Sequence, residues 1–299
     1  MANKNVVVFV FLLSMVFCSL SLPVYAQEYS PSEMLIVMER MLYGAEQKGS
    51  IMGRLEQMEK FIFCEDDKEA TLPERVAFCW DALNDTPVGG VDLVFKLRTL
   101  EWLIFGKISS DPISQSLDEL ETDIFGEVQV GSLSARIDIL MRVLNGSTEL
   151  NLKQCSLMKG TLMKLELISD LNSTLLKVGD NVVFKVIEDV IEDGTLIIPS
   201  GSLITCSVID VEPVNKLFSK ARIDLEVKTT SSFGSVQFVL GADKQAIEAN
   251  PRIPIKSGNS IRRFSIVSDR SSEAIIIRAK SQMYLSVMQT VNKVMGISI

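Results

Sequence analysis

The chain has 299 residues, with 30 Lys or Arg against 38 Asp or Glu, a net charge of −8 and no histidine. An acidic balance disfavours nucleic acid and anionic lipid, whose binding rests on basic side chains neutralising phosphates. The missing imidazole excludes Ser-His-Asp and Cys-His nucleophilic chemistry, and the common zinc sites built on histidine nitrogens.

Lys4, the apolar run from Val6 to Leu20 and the small-residue end Val24-Tyr25-Ala26 predict an export signal over residues 1–26. An uncleaved anchor is the alternative, because about 17 or more apolar residues can span a bilayer; Pro23 and the Val-x-Ala end favour cleavage. Phe17 stands where a lipobox would place a small residue before Cys18, so a lipid anchor is not expected. Cleavage removes one basic residue, Lys4, and leaves 29 basic against 38 acidic side chains. No later apolar run is long enough to span a membrane. The expected location is the periplasm or the cell surface. Cys64, Cys79, Cys155 and Cys206 would remain. They permit the pairs Cys64–Cys79 and Cys155–Cys206, with buried free thiols as the alternative.

Residues 27–147 read as six helical repeats of about 20 residues. Glu39, Glu59, Trp80, Glu101, Glu121 and Met141 occupy one equivalent position, at steps of 20, 21, 21, 20 and 20. Apolar residues stand eight, four and one before this anchor and three after it, as in Ile113, Leu117, Leu120 and Ile124. Those offsets fall on one stripe of an α-helix. Ser30, Ser50, Thr71 and Ser132 suit N-caps, Thr71 to Glu74 forms a capping box, and Gly44, Gly106, Gly126 and Gly146 suit left-handed C-caps. A helix of about 13 residues is marginal alone, so the units should stack into a bundle or short solenoid, with Tyr43, Phe63, Phe105 and Phe125 at the joints. Arg54, Arg75, Lys96 and Arg136 lie five residues before the anchor and face away from their own glutamate; an ion-pair ladder between neighbouring repeats is expected, with a ligand-binding row of carboxylates as the alternative. Trp102 stands where the other units carry Arg40, Lys60, Asp81, Thr122 and Arg142, and Trp80 replaces the anchoring glutamate. Both are interaction candidates; packing of Trp102 beneath the second domain is the alternative.

The helical period stops near Gly146-Ser147-Thr148, and residues 152–299 read as a small antiparallel β-barrel or sandwich. Strands are expected at 162–168, 181–186, 195–198, 203–211, 221–228, 235–240, 274–279 and 282–287, with turns at Lys177 to Asp180 and Ile198 to Ser202. The tail from Met288 to Gly296 is left open between strand and helical turn. Met158 to Leu165 echoes Arg278 to Leu285, which makes the first and last strands natural neighbours. The acidic groups Glu188-Asp189, Glu192-Asp193 and Glu65-Asp66-Asp67 are the candidate acid-base or cation-binding residues, and ordinary solvated charge is the expectation for them.

Two resemblances accompany these motifs. The unit Gly49-Ser50-Ile51-Met52-Gly53-Arg54-Leu55-Glu56-Gln57-Met58-Glu59-Lys60-Phe61-Ile62-Phe63 resembles short leucine-glutamate-phenylalanine-glycine repeats of exported bacterial proteins. Lys159-Gly160-Thr161, Ser169-Asp170-Leu171, Lys177 to Asp180, Ile197 to Ser202 and Ala221-Arg222-Ile223 are distantly similar to the C-terminal β-barrel of VirB10/TrbI-type secretion-channel proteins, over about 90 residues. The proline-rich linker and retained inner-membrane anchor of that family are missing, and a shared scaffold does not fix function.

The sequence therefore predicts an α+β, non-enzymatic cell-envelope protein: a repeat module for interaction joined to a β-domain for docking. Its partner would be an envelope protein or glycan, and no catalytic, cofactor or metal residue is expected. The alternatives are a secretion-apparatus or assembly component of VirB10-like type, and a carboxylate-dependent glycan hydrolase.

Overall fold

The structure, a computed structural model, describes residues 30–64, 69–84, 92–213, 220–229 and 237–298. The expected signal peptide, Glu65-Asp66-Asp67 and the start of the strand expected at 235–240 lie outside these residues.

Six helices of 13 residues each start eight residues before the anchor: α1 Pro31–Tyr43, α2 Ile51–Phe63, α3 Leu72–Asn84, α4 Leu93–Phe105, α5 Ile113–Phe125 and α6 Leu133–Asn145. Ser30, Ser50 and Ser132 accept the N–H three residues on, and Asp92 does the same for Phe95. Pro112 offers no side-chain cap. Gly44, Gly106, Gly126 and Gly146 close their helices at φ between 66° and 82°, and Cys64 takes the same left-handed conformation at 64°.

The module is a bundle closed on itself. α1 touches α3 and α5 as well as α2, and α2 touches α6. Contacts four units apart are foreign to a solenoid, whose repeats meet their near neighbours. The apolar stripe is used unevenly along its length. Leu42, Ile62 and Leu83, three after the anchor, are fully buried, whereas Ile104 in the same place is 37% exposed. Conversely Ile113 and Leu133, eight before it, are buried while Ile51 is exposed. The reason is a lengthwise offset: the C-terminal end of α1 meets the start of α5, where Ser114 Oγ donates to the Leu42 carbonyl at 2.7 Å and Pro112 packs on Gly44.

The β-domain has its own core. Its strands are β1 Leu152–Leu157, β2 Leu162–Leu167, β3 Leu171–Asn172, β4 Asn181–Val186, β5 Val190–Glu192, β6 Thr195–Ile198, β7 Leu203–Glu212, β8 Arg222–Thr229, β9 Leu240–Gly241, β10 Ile255–Ser257, β11 Arg263–Val267, β12 Ile276–Ile277, β13 Gln282–Val287 and β14 Val291–Ser298, with a short helix α7, Lys244–Ala249. An eight-stranded sheet in the order β10-β11-β8-β7-β4-β2-β13-β9 curls into a nearly closed barrel. At the seam Ser257 Oγ donates to the Ala242 carbonyl, and α7 packs on β10 and β13. A four-stranded sheet, β1-β14-β6-β5, and the pair β12-β3 complete the domain. The tail is thus a strand, pairing β1 on one side and β6 on the other.

The echo seen in the sequence is a structural duplication. β2 and β13 pair antiparallel, Leu165 with Met283 and Met163 with Leu285. Their flanks match at an offset of 120 residues. Gly160 N–H donates to Val287 O, and Lys280 N–H to Leu167 O. Thr290 Oγ1 accepts from Lys159 N, and Asp170 Oδ1 from Ala279 N. Leu157 pairs with Val291, and Ile277 with Leu171. An approximate two-fold axis therefore runs between β2 and β13.

The four cysteines of the described residues are free thiols, so neither permitted disulfide is formed. Cys79 and Cys206 are buried, and burial pushes each thiol up to about 12, while Cys64 is exposed. Since the thiolate is the reactive species, alkylation of folded residues 27–299 at pH 8 should modify Cys64 first and leave Cys79 and Cys206 untouched until denaturant is added. Mass mapping of the adducts checks this, and early modification of Cys206 would contradict the barrel core.

Candidate functional site

The repeated carboxylates are consumed by structure. Arg54 of α2 grips Glu39 of α1 at 2.7 and 2.5 Å, Arg75 of α3 grips Glu59 of α2 at 2.8 and 2.5 Å, and Arg136 of α6 grips Glu121 of α5 at 2.9 and 2.6 Å. Each glutamate is almost fully buried. A forked guanidinium matches a carboxylate in geometry as well as charge. Three of these carboxylates also accept a loop N–H eight residues on: Gln47 to Glu39, Ser109 to Glu101 and Gln129 to Glu121.

Departures from the ladder are matched in pairs. Where α5 carries Ser116 in place of arginine, Arg98 of α4 turns onto Glu101 in its own helix at 2.7 Å and also reaches Ser116. Where α3 carries Trp80 in place of glutamate, the next unit has Lys96, which reaches Asp138 of α6 at 3.1 Å. Where β1 rather than a further repeat helix follows, the anchor is Met141, fully buried. The row of carboxylates is held in ion pairs, three of them between neighbouring helices, and ties the bundle together. Of the aromatic joints, Tyr43 stacks near Phe61 and Phe63 near Phe78, whereas Phe105 is exposed.

Trp80 is half-buried against the helical core. Trp102 lies at the junction of the two modules, where its indole N–H donates to Asp189 Oδ2 at 3.0 Å. Asp189 Oδ1 in turn accepts the Ser200 N–H at 2.6 Å. The turn at Pro199 to Ser202 is then taken by the α4–α5 loop: Ile108 N–H donates to Ser200 O at 2.8 Å, and Ser200 Oγ donates to Gly106 O at 3.1 Å. Gly201 sits at φ 98°, and a Cβ there would lie 1.9 Å from the Ile108 carbonyl oxygen. Beside this contact a groove of about 520 Å³ opens between the modules, lined by Phe105, Lys107, Asp111, Glu119 and Lys185 among others.

Gly201→Ala meets both the left-handed penalty of about 1–2 kcal/mol and that collision, so it should loosen the modules while leaving both cores folded. In a Trp80→Phe background, where Trp102 is the one indole, its emission should move to the red. An unmoved emission would mean that the turn does not hold the modules together.

The acidic candidates do not converge. Glu188 is exposed and pairs with Lys164, holding that ammonium above its ordinary range. Glu192 accepts from Thr161 Oγ1 at 2.9 Å, and Asp193 is an exposed turn residue at φ 50°. Among the described residues no group of three or more His, Cys, Asp or Glu side chains is arranged to hold a metal ion, and no helix is long and apolar enough to cross a membrane. The sequence did not reveal Asp189 as the partner of the Trp102 indole, nor the contact of Ile108 with Ser200 and Gly201 beside it. The available signal was Ile108 itself, an apolar residue in a loop position that α1–α2 fills with Glu46.

The architecture defines a helical repeat bundle docked on an antiparallel β-domain. No protein-family model matches the chain, and no curated protein matches it in sequence. Among solved structures it is similar to ComB10 of the Com type IV secretion system of Helicobacter pylori, with 13% identity and a TM-score of 0.28, over 45% of this chain and 88% of that one.

Proposed function

We propose that the chain is an exported, non-enzymatic cell-envelope protein whose helical module binds polypeptide through the loops between its repeats, while the β-domain serves as a docking platform. The observation that carries this reading is the α4–α5 loop, which already grips a β-turn through main-chain hydrogen bonds and a close glycine contact. The module is built to hold loops rigidly, since buried glutamates tie three of them back to the helices. A tagged chain of residues 1–299, expressed in a bacterium with an intact export pathway, tests the reading. The mature form should be recovered from the envelope fraction with a stoichiometric protein partner and should cleave no glycan. Cytosolic recovery would sink export, and glycan cleavage abolished by Asp189→Asn would favour the hydrolase. Recovery together with a secretion apparatus would select the assembly-component alternative.

A further inference from the structure

The α4–α5 loop has a structural twin that grips nothing within the described chain. Aligned on their closing glycines, Gly106-Lys107-Ile108-Ser109-Ser110-Asp111 and Gly126-Glu127-Val128-Gln129-Val130-Gly131 correspond residue for residue. Each glycine is left-handed, at φ 66° and 82°. Three residues later, Ser109 and Gln129 donate their N–H to the buried carboxylates of Glu101 and Glu121, at 3.1 and 2.8 Å. Both ends of the segment holding Ile108, and of that holding Val128, are thus fixed alike.

In the first loop the Gly106 carbonyl and the Ile108 N–H hold Ser200 from two sides, and the Ile108 carbonyl fills the space that a side chain on Gly201 would need. In the second, no hydrogen bond to the Gly126 carbonyl or from the Val128 N–H occurs among the described residues. Val128 is 47% exposed and Val130 is 99% exposed. A third copy of the loop, after α1, is already engaged in the bundle, with Glu46 paired to Arg54 and Gly44 against Pro112. A lone exposed valine is ordinary; here the same backbone position shows in its twin what it can hold.

We propose that the α5–α6 loop is a docking site for a Ser-Gly turn of a partner polypeptide, held as Ser200-Gly201 is held. The inference rests on the interaction reading above and gives the partner a chemistry. The serine offers a carbonyl to Val128 N–H and a hydroxyl to Gly126 O, and the glycine admits the Val128 carbonyl. Glu127 replaces Lys107, and the exposed Asp123 lies in the last turn of α5, where the helix dipole also favours cations. The partner's turn should therefore carry Lys or Arg beside it.

The probe is a cyclic peptide containing Lys-Ile-Pro-Ser-Gly-Ser-Lys, titrated into isotopically labelled residues 27–299 while amide resonances are followed. Saturable shifts at Val128 and Val130 are expected. Val128→Asp, or glycine to alanine in the peptide, should weaken binding about tenfold or more, with the melting temperature of the protein unchanged. Three results would each overturn the inference: no shift at Val128 with millimolar peptide, equal binding of the alanine peptide, or shifts confined to residues 106–111, which would mean that the peptide merely displaces the chain's own turn. An envelope partner whose capture survives Val128→Asp would likewise overturn it and leave the broader interaction reading intact. Peptide binding in a chain that captures no envelope partner would uphold the loop and sink the broader reading.

Discussion

Replacing Arg136 by methionine should cost about 3–5 kcal/mol, because it leaves the Glu121 carboxylate buried without its counter-charge. Glu121 is fully buried, and its two oxygens accept from the two arms of Arg136 and from the Gln129 N–H. One remaining N–H cannot offset a desolvated charge. The double variant Glu121→Met/Arg136→Met should recover most of the loss, since a well-packed apolar pair is often as stable as a buried ion pair. The chain already makes half of this exchange at Met141, which is fully buried at the anchor position. What the double variant does not regain is the tie between Glu121 and the α5–α6 loop, about 1 kcal/mol for one hydrogen bond. A double-mutant cycle by urea unfolding measures the coupling. A double variant as unstable as the single one would show that the pocket is specific for the ion pair.

Leu120→Ala should cost about 2–5 kcal/mol, and Thr122→Ala less than about 0.5 kcal/mol. The two residues share a helix and differ in the face they occupy. Leu120 has no solvent exposure and sits in the closed core formed by all six helices. Thr122 is exposed, and its hydroxyl bonds back to the Asp118 carbonyl of its own helix at 2.7 Å. Truncating the leucine removes apolar contacts and opens a cavity that a rigid bundle cannot wholly collapse. Equal losses at the two positions would invert the face assignment for the whole repeat.

The helices were legible to the residue because their ends carry local chemistry. Serines before three of the starts and glycines after four of the stops act within three or four residues, and the repeat carries that signal across the units that lack one or the other. The ladder was legible for a related reason, since a five-residue offset turns Arg54 away from its own helix's glutamate toward that of the preceding helix. Closure of the bundle was not legible: the meeting of α1 with α5 depends on how far successive units rotate, which no single repeat encodes. In the β-domain, β4, β6 and β13 were read with their observed bounds because alternation and flanking turns agree. β1, β3, β5, β10 and β11 were not assigned, although Arg263-Phe264-Ser265-Ile266 alternates, and the tail that forms β14 was open between strand and helical turn. β1 and β14 find each other only across almost the whole β-domain, Leu152 with Ile297, and β5, β10 and β11 are only three to five residues long, too short for a clear period. Packing of Trp102 beneath the second domain was one of the two readings, but its partner escaped for want of a local signal. Nothing near Trp102 in sequence announces Asp189, 87 positions away.

The pairing of β14 with both β1 and β6, and of β13 with β2, sets an order of assembly. The helical ladder joins residues 15 or 16 apart, so it can begin to form while the chain is still emerging. The β-domain cannot: Leu152 waits for Ile297, and Leu165 for Met283. Closing such long loops costs chain entropy before any contact repays it, which makes pairings of this kind late and slow. A chain emerging from its N-terminus would present a structured head and a slack β-domain until β14 arrives. The Ser200 turn is closed by bonds within residues 186–202, so the α4–α5 loop can take hold of it before the barrel behind it is complete.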